Sequence, residues 1–216
     1  LLQADGDHMG QIIAEQRTIE QHRALSRSAS LFARRVEPIV SRFRGSLIYA
    51  GGDDVLALLP LHSAIECART LADAFSEQMA GFAASDPKSG ETIHPTLSVG
   101  LAVVHHLEPL SEALELVRSA ESYAKSVKGK NALAITLSKR AGSEQTVGGT
   151  WGSFDRRLEW FIELHRNEEI PAELGYELRS LAMELEGAGE GPGNLLQRVL
   201  SSEVKRILGR KRAERG

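Results

Sequence analysis

The segment Gly51-Gly52-Asp53-Asp54 joins two short apolar runs, residues 46–50 and 55–59, and this pattern predicts a tight β-hairpin with two carboxylates at its tip. Glycine has no Cβ, so it accepts the positive φ of tight turns and lets a ligand approach the backbone closely. Neighbouring carboxylates repel each other unless a cation lies between them or water screens them. Taken alone, the segment is therefore either a solvent-exposed turn or one wall of a cation site.

A second acidic pair, Asp5-Gly6-Asp7, ends an apolar run that predicts a short strand over residues 1–5. In a split βαβ sheet the first strand lies beside the central hairpin, so Asp5 and Asp53 would face one pocket with Asp54 next to them. Mg²⁺ and Mn²⁺ prefer carboxylate oxygens together with substrate phosphates, and two such ions can activate an attacking oxygen and stabilise a leaving pyrophosphate. The acidic segments thus predict a two-metal nucleotidyltransferase or cyclase site, in which these three aspartates are the catalytic metal-binding residues.

Two further features predict contacts to a triphosphate. The segment Gly6-Asp7-His8-Met9-Gly10 can present consecutive backbone N–H groups to an anion, with His8 lining the pocket rather than binding metal. Lys125, near the end of the third predicted helix, can meet a phosphate as a point charge. Lys128 and Lys130 are instead assigned to a helix C-terminus, where the helix dipole favours cations.

Hydrophobic periodicity predicts an α+β fold. Apolar residues recur every three or four positions in three stretches, which predicts amphipathic helices around residues 25–43, 61–79 and 110–127. Strands are predicted at residues 1–5, 46–50, 55–59, 96–104 and 132–137. The resulting order (strand, helix, strand, strand, helix, strand, helix, strand) is that of a ferredoxin-like palm with one added helix–strand unit.

The composition changes after residue 140. Glycines accumulate over residues 141–152, which predicts a linker, and the pattern beyond is helical only, near residues 154–167, 172–186 and 193–209. The palm is therefore assigned to residues 1–140 and a small all-α domain to residues 153–216. The end of that domain is either a solvated basic helix end or an RNA contact; its cations are Lys205, Arg206, Arg210, Lys211, Arg212 and Arg215.

Composition also limits the class of protein. The chain of 216 residues is 42% apolar, enough for a core, and its net charge of −3 argues against a protein that coats nucleic acid. The single cysteine, Cys67, excludes an intramolecular disulfide and a Cys-rich zinc site. No run approaches the roughly 20 apolar residues that span a bilayer, so a cytoplasmic protein is predicted. Because Leu1 and Leu2 already belong to a predicted strand, we expect the chain to be part of a longer protein.

Four blocks of sequence, in this order, carry a resemblance: Asp5-Gly6-Asp7-His8-Met9-Gly10, Leu47-Ile48-Tyr49-Ala50-Gly51-Gly52-Asp53-Asp54-Val55, Thr96-Leu97-Ser98-Val99-Gly100, and the segment from Ala124-Lys125 to Gly129-Lys130-Asn131-Ala132-Leu133. Over about residues 1–140 the chain resembles the second palm domain of the large subunit of type III CRISPR effector complexes. More distantly, it is similar to the catalytic domains of diguanylate cyclases. Further similarity at His105, Pro109-Leu110 and Lys139-Arg140 favours the Cmr branch over the Csm branch. Residues 153–212 occupy the position of that subunit's C-terminal helical domain.

The resemblance implies an ATP-using palm that makes cyclic oligoadenylate, a second messenger of antiviral defence, once the complex has bound target RNA. The partners it implies are the other subunits of the complex, guide and target RNA, and a first palm domain of the same subunit, with no membrane. Carried over to this sequence, it assigns Mg²⁺ or Mn²⁺ to Asp5 and Asp53 with Asp54 adjacent, close approach of nucleotide to Gly51 and Gly52, a place in the site to Ser98, and triphosphate to Lys125.

Two alternatives stay open at this point. In the first, the palm is a catalytically silent scaffold or RNA-binding module of the same complex. In the second, the chain is a stand-alone nucleotide cyclase. Val55 stands where the cyclase signature has phenylalanine, which argues against a guanine-specific dinucleotide cyclase. Retention of Asp5, Asp53 and Asp54 together argues against the silent module.

Overall fold

The computed structural model describes residues 1–86, 90–139, 143–170, 173–176 and 179–180. Its elements follow one another in the order β1 (Leu2–Asp7), α1 (Met9–Glu15), α2 (Ile19–Arg42), β2 (Ser46–Gly51), β3 (Asp54–Leu58), a 3₁₀ turn (Leu61–Ser63), α3 (Ala64–Met79), β4 (Ala84–Ser85), β5 (Thr92–Ile93), β6 (Thr96–Val103), α4 (Leu110–Ser126), β7 (Ala132–Leu137), β8 (Gln145–Thr150) and α5 (Phe154–Arg166). The eight elements predicted over residues 1–137 are all present. The short α1, β4 and β5 lie in segments that the sequence analysis treated as loops.

Six strands form one sheet in the order β2-β3-β1-β6-β7-β8. β1 lies between β3 and β6 and is antiparallel to both, whereas β7 follows α4 and is parallel to β6. The order of the first four strands is that of a ferredoxin-like fold, and α4 with β7 is the added unit. The prediction of an α+β, palm-type fold is therefore confirmed.

One face of the sheet is covered by α2 and α3 and is apolar. Leu97 and Val99 of β6 point to this face and join a core whose largest fully buried side chains include Phe32 and Phe75. The two phenyl rings meet edge to face, with 4.9 Å between their centroids. Cys67 of α3 lies in the same core, where burial and the charge of Glu66 raise the pKa of its thiol to about 12.

The opposite face of the sheet is covered by α4. Side chains alternate along a strand, so Ser98, Gly100 and Ala102 of β6 point away from α2 and α3. Ala102 packs there with residues of α4. A Cβ at Gly100 would lie 2.2 Å from the backbone nitrogen of Glu121, so α4 rests directly on the backbone of β6. The acidic end of β1 faces this helix as well.

The predicted linker over residues 141–152 is wrong for Gln145–Thr150, which forms β8 and pairs antiparallel with the whole of β7. Gly148 is paired with Ala134, and a Cβ at Gly148 would lie 2.9 Å from that alanine's Cβ and 3.0 Å from Tyr123. Glycine is needed here because the strand passes under a crowded surface. A cluster of glycines in the sequence indicated flexibility where it reflects close packing.

The chain divides into two compact units, Leu1–Arg156 and Arg157–Gly216. All strands among the described residues belong to the first unit. The helix predicted near residues 154–167 is present as α5. Of the other two helices predicted for the all-α domain, the one near residues 193–209 lies outside the described residues, and so do the basic residues from Lys205 to Arg215. The one near residues 172–186 lies largely outside them. A search of the described residues found no helix with the length and hydrophobicity needed to span a bilayer.

Candidate functional site

The tip of the β2–β3 hairpin meets the end of β1. Gly51 pairs with Asp54, so Gly52 and Asp53 are the two turn residues, and Gly52 has a positive φ of 67°. A Cβ at Gly6 would lie 2.7 Å from Oδ2 of Asp53 and 2.8 Å from its Cβ. The carboxylate of Asp53 therefore packs against the bare backbone of Gly6, beside Asp5.

Lys125 of α4 reaches the same point from the other side of the cleft. Its Nζ donates a hydrogen bond to Oδ2 of Asp5 and lies 3.5 Å from the carbonyl oxygen of Gly6. The same Nζ is 3.6 Å from Oε1 of Glu121, one helical turn earlier. A cation thus sits among oxygen atoms of β1 and α4.

The electrostatics of the hairpin tip are those of crowded carboxylates. Burial raises the pKa of Asp53 above its ordinary value, and the charges of Asp5 and Asp54 raise it further, against the opposing effects of a backbone hydrogen bond and of Lys125. Burial and the charge of Asp5 also raise the pKa of Asp54. Holding these groups ionised costs stability, and a bound divalent cation would relieve that cost.

Lys125 places a positive charge opposite these carboxylates, and Glu121 lies next to it on α4. Burial alone lowers the pKa of Lys125, but the hydrogen bond and charge of Asp5, with smaller contributions from Glu121 and Asp7, outweigh it and raise the pKa. Burial raises the pKa of Glu121, while the positive charge of Lys125 opposes this shift. Lys125 is therefore held firmly in its charged form.

Asp5, Asp53 and Lys125 line a cleft of about 550 Å³. Seven of the residues proposed from the sequence lie in its wall: Asp5, Gly6, His8, Met9, Gly10, Asp53 and Lys125. The backbone of His8 adopts the left-handed conformation, with φ of 62°, and its Nδ1 lies 2.9 Å from Oε1 of Gln11. This bend turns the chain from β1 into α1 along the floor of the cleft. Gly51, Gly52 and Asp54 belong to the hairpin and are not among the described residues of the cleft wall.

Asp7 and Ser98, both assigned to the nucleotide site from the sequence, have fully buried side chains outside the cleft wall. Oδ2 of Asp7 accepts hydrogen bonds from Thr96 Oγ1 at 2.8 Å, Ser98 Oγ at 2.9 Å and the backbone N–H of Asn131 at 3.0 Å. Asp7 thereby ties β1 to β6 and to the loop after α4. The structure assigns these two side chains to the support of the site, because the loop after α4 covers them.

Three residues of the cleft wall were not found from the sequence: Gln11, Asp86 and Lys130. Glu121, which contacts Lys125 from outside the wall, was not found either. Lys130 lines the cleft because Gly129, Lys130 and Asn131 all have positive φ, which turns the chain back after α4. The sequence analysis had assigned Lys130 to a helix end, and the adjacent Gly-Lys-Asn triplet was the available indication of a turn. Asp86 follows β4, in a stretch interpreted as a loop.

The donor set fits a hard divalent cation. Asp5 and Asp53 offer carboxylate oxygens, Gly6 offers a carbonyl, and the ammonium of Lys125 already occupies a cation position on Asp5. Among the residues that the structure describes, no three His, Cys, Asp or Glu side chains approach closely enough to hold an ion by themselves. Mg²⁺ commonly binds through one or two carboxylates with waters and substrate phosphates, so this set suits a metal that arrives with a nucleotide.

A family model and a curated relative both match part of this chain. A family model described as Cas10/Cmr2, second palm domain, matches residues 1–134. The CRISPR system Cmr subunit Cmr2 of Pyrococcus furiosus is 39% identical over 128 residues, which are 58% of this chain and 14% of that protein. The chain thus spans a small part of this relative's length.

A solved structure comprising only the GGDEF domain of the Pseudomonas aeruginosa protein TpbB, also called YfiN, is also similar. Its sequence is 24% identical, and the match covers 57% of this chain and 69% of that one, with a TM-score of 0.38. A TM-score this low carries no conclusion about a common architecture. The family assignment rests on the match over residues 1–134 and on the Cmr2 relative.

Proposed function

Because this chain belongs to the Cas10/Cmr2 family and carries its second palm domain, we propose that it binds ATP with divalent metal in the cleft between Asp5 and Asp53. The activity proposed is nucleotidyl transfer that yields cyclic oligoadenylate within a type III CRISPR effector complex. The observation that carries this proposal is the convergence of the hairpin tip on Gly6, with Lys125 already placed on Asp5 as a cation.

The proposal gives separate tasks to the acidic and the basic residues of the cleft. Asp5 and Asp53, with Asp54 beside them, would hold Mg²⁺ or Mn²⁺, which when bound supplies activation of the attacking hydroxyl and stabilisation of the leaving pyrophosphate. Lys125 and Lys130 would bind the triphosphate as point charges. Gly6 keeps Asp53 close to β1, and the backbone of residues 6–10 would orient the phosphates.

In the proposed reaction, the protein holds two ATP molecules in position for direct transfer between them. The 3′-oxygen of one ATP would attack the α-phosphorus of a second, a phosphorus–oxygen bond would form, and the bond to pyrophosphate would break. The proton of the 3′-hydroxyl passes to solvent. The protein contributes orientation and charge neutralisation, with no covalent intermediate of its own.

The partners proposed are those of a subunit within a larger assembly. They comprise the other subunits of the complex, guide and target RNA, and a first palm domain of the same subunit that would face this cleft. The cytoplasmic location expected from the sequence stays a prediction.

Replacement of Asp53 in the assembled complex tests the proposal. With ATP, Mg²⁺ and target RNA, Asp53→Ala should reduce cyclic oligoadenylate at least about 100-fold, since a metal-binding carboxylate acts mainly in the transition state. Asp54→Ala should also reduce it. Asp73→Asn, on the exposed side of α3, is the matched control and should leave the rate unchanged. RNA binding should be unaffected throughout.

The competing possibility is a silent scaffold. It is favoured by the lack of a three-residue metal cluster among the described side chains. Persistence of product in the Asp53→Ala complex would establish that catalysis lies elsewhere and that this cleft is silent. Loss of both product and RNA binding would indicate a structural role for the hairpin.

A further inference from the structure

Glu121 lies beneath the cleft in a position that the fold fixes. It sits on α4 one turn before Lys125, with 8% of its surface exposed. The helix is pressed against β6 at this point, because a Cβ on Gly100 would lie only 2.2 Å from the nitrogen of Glu121. The backbone of Glu121 is therefore held against β6, and its side chain is buried beside Lys125.

The contact between Glu121 and Lys125 is incomplete. Oε1 of Glu121 is buried and has no hydrogen-bond partner among the described residues, although Nζ of Lys125 lies 3.6 Å away. The ammonium instead donates to Asp5. It thus stands between two carboxylates and is fully engaged by one of them.

A divalent cation on Asp5 would remove that engagement. The Oδ2 atom that accepts the hydrogen bond from Lys125 is an oxygen that a metal would need, so metal and ammonium compete for it. The lysine stem is flexible, and a displacement of less than about 1 Å would bring Nζ to hydrogen-bonding distance from Glu121. Lys125 would then stay in the cleft, and its remaining donors would face the nucleotide.

We propose that Glu121 is a positioning residue that receives Lys125 when a divalent cation binds Asp5. This inference rests on the proposed function in one respect, that Asp5 binds the metal. Glu121 touches neither metal nor nucleotide in this account. It acts only through the lysine, by offering a second position that makes the exchange at Asp5 easier.

Mn²⁺ binding to the full chain without nucleotide, followed by electron paramagnetic resonance, tests this account. Lys125→Met removes the competitor from Asp5 and should tighten Mn²⁺ binding. Glu121→Gln leaves Asp5 as the one carboxylate within ion-pair distance of the lysine among the described residues, and it should weaken binding several-fold. In the double variant the effect of Glu121→Gln should fall below about twofold, because Glu121 acts through a residue that is gone.

Two further variants separate this role from a general effect of charge. Glu121→Asp keeps the charge but withdraws the carboxylate by one methylene, so it should weaken Mn²⁺ binding as Glu121→Gln does. Glu115→Gln changes an exposed glutamate on the same helix and should bind Mn²⁺ like the unaltered chain. Circular dichroism and thermal melting confirm that each variant is folded.

The possible results distinguish failure of this inference from failure of the proposed metal site. Equal weakening by Glu121→Gln with and without Lys125, or Glu121→Asp behaving as the unaltered chain, would overturn the inference and leave the metal site intact. If the unaltered chain binds no Mn²⁺ while correctly folded, the proposed metal site fails and the inference fails with it. The inference and the metal site are both supported if Glu121→Gln binds Mn²⁺ more weakly, Lys125→Met binds it more tightly, and Glu121→Gln has little further effect in the Lys125→Met background.

Discussion

The two faces of the central sheet are built from the same strands and differ in what they contain. Toward α2 and α3, β1 and β6 contribute Leu2, Ala4, Leu97 and Val99 to a fully buried apolar core. Toward α4, the same two strands contribute Asp5, Asp7 and Ser98, with Glu121 and Lys125 opposite. Because side chains alternate along a strand, one backbone serves both purposes.

The two faces are therefore expected to differ in how they contribute to stability and to ligand binding. Burial of apolar surface on the first face favours folding. At the hairpin tip beside Asp5, burial and mutual repulsion raise the pKa of Asp53, so its ionised carboxylate is held at a cost. The apolar face should therefore be sensitive in stability and the α4 face in ligand binding. Four substitutions, in order of decreasing effect, test that division.

The largest effect is expected in the core. Phe32→Ala removes a fully buried ring that packs edge to face on Phe75, and it should lower the free energy of unfolding by about 3–5 kcal/mol. Urea denaturation measures this. Leu31→Ala, at a neighbouring position that is 41% exposed, is the control and should cost less than about 1 kcal/mol. A loss of Mn²⁺ affinity in folded Phe32→Ala would break the proposed division.

Asp7 should behave as a structural residue although it lies on the functional face. Asp7→Ala leaves the three donors from Thr96, Ser98 and Asn131 without their common acceptor, so the free energy of unfolding should fall by about 2–4 kcal/mol. Ser98→Ala removes one of these donors and should cost about 1 kcal/mol. A change below 1 kcal/mol for Asp7→Ala in urea denaturation would contradict the proposed role.

Gly6 should affect ligand binding more than stability. A Cβ in Gly6→Ala would lie 2.7 Å from Asp53 Oδ2, so the aspartate must move and Mn²⁺ affinity should fall about tenfold, equivalent to about 1.4 kcal/mol. Gly10→Ala is the matched control in the same cleft, since its Cβ would meet no atom within 4 Å. Isothermal titration with Mn²⁺ compares them. Equal affinities of the two variants would show that contact with Gly6 does not position Asp53.

The smallest effect has the opposite sign. The pKa of Asp53 is raised above 3.8 in the folded chain, so the folded state holds its proton more tightly than the unfolded state, and ionisation reduces stability as pH rises. Asp53→Asn should therefore stabilise the chain at pH 7, by up to about 1 kcal/mol after allowance for solvent screening, or a few °C in Tm.

The gain from Asp53→Asn should shrink as pH falls toward 3.8 and vanish below it, where the carboxyl is protonated in both states. Thermal melting at several pH values measures it, with Asp73→Asn as the exposed control. Destabilisation by Asp53→Asn at pH 7 would show that this carboxylate supports the fold.

Most elements of the sheet and its helices could be predicted from the sequence. The stripes of α2, α3 and α4 follow a helical period, and the hairpin is marked by Gly51-Gly52-Asp53-Asp54, so local pattern was sufficient. β8 was missed because the glycines that allow it to pass beneath Tyr123 are typical of a linker as well. Only the packed sheet distinguishes these two uses of glycine.

The α4 face was predicted less completely. Asp5 and Asp53 were identified because the order of strands brings them together, and Lys125 was identified from its position near the end of the third predicted helix. Burial of Asp7 depends on the loop after α4, which is far away in sequence, and the place of Lys130 depends on three consecutive positive φ angles. Glu121 occupies an ordinary position in an amphipathic helix, and its role emerges only from the packing of α4 on Gly100.

Anomalous diffraction from crystals of the chain grown with Mn²⁺ and ATP can show whether the hairpin tip and the end of β1 form one metal and nucleotide site. If they do, an Mn²⁺ peak is expected about 2.0–2.3 Å from carboxylate oxygens of both Asp5 and Asp53, with phosphate oxygens beside Lys125 and Lys130. Mn²⁺ and ATP bound elsewhere, with the ion pair between Lys125 and Asp5 intact, would contradict it.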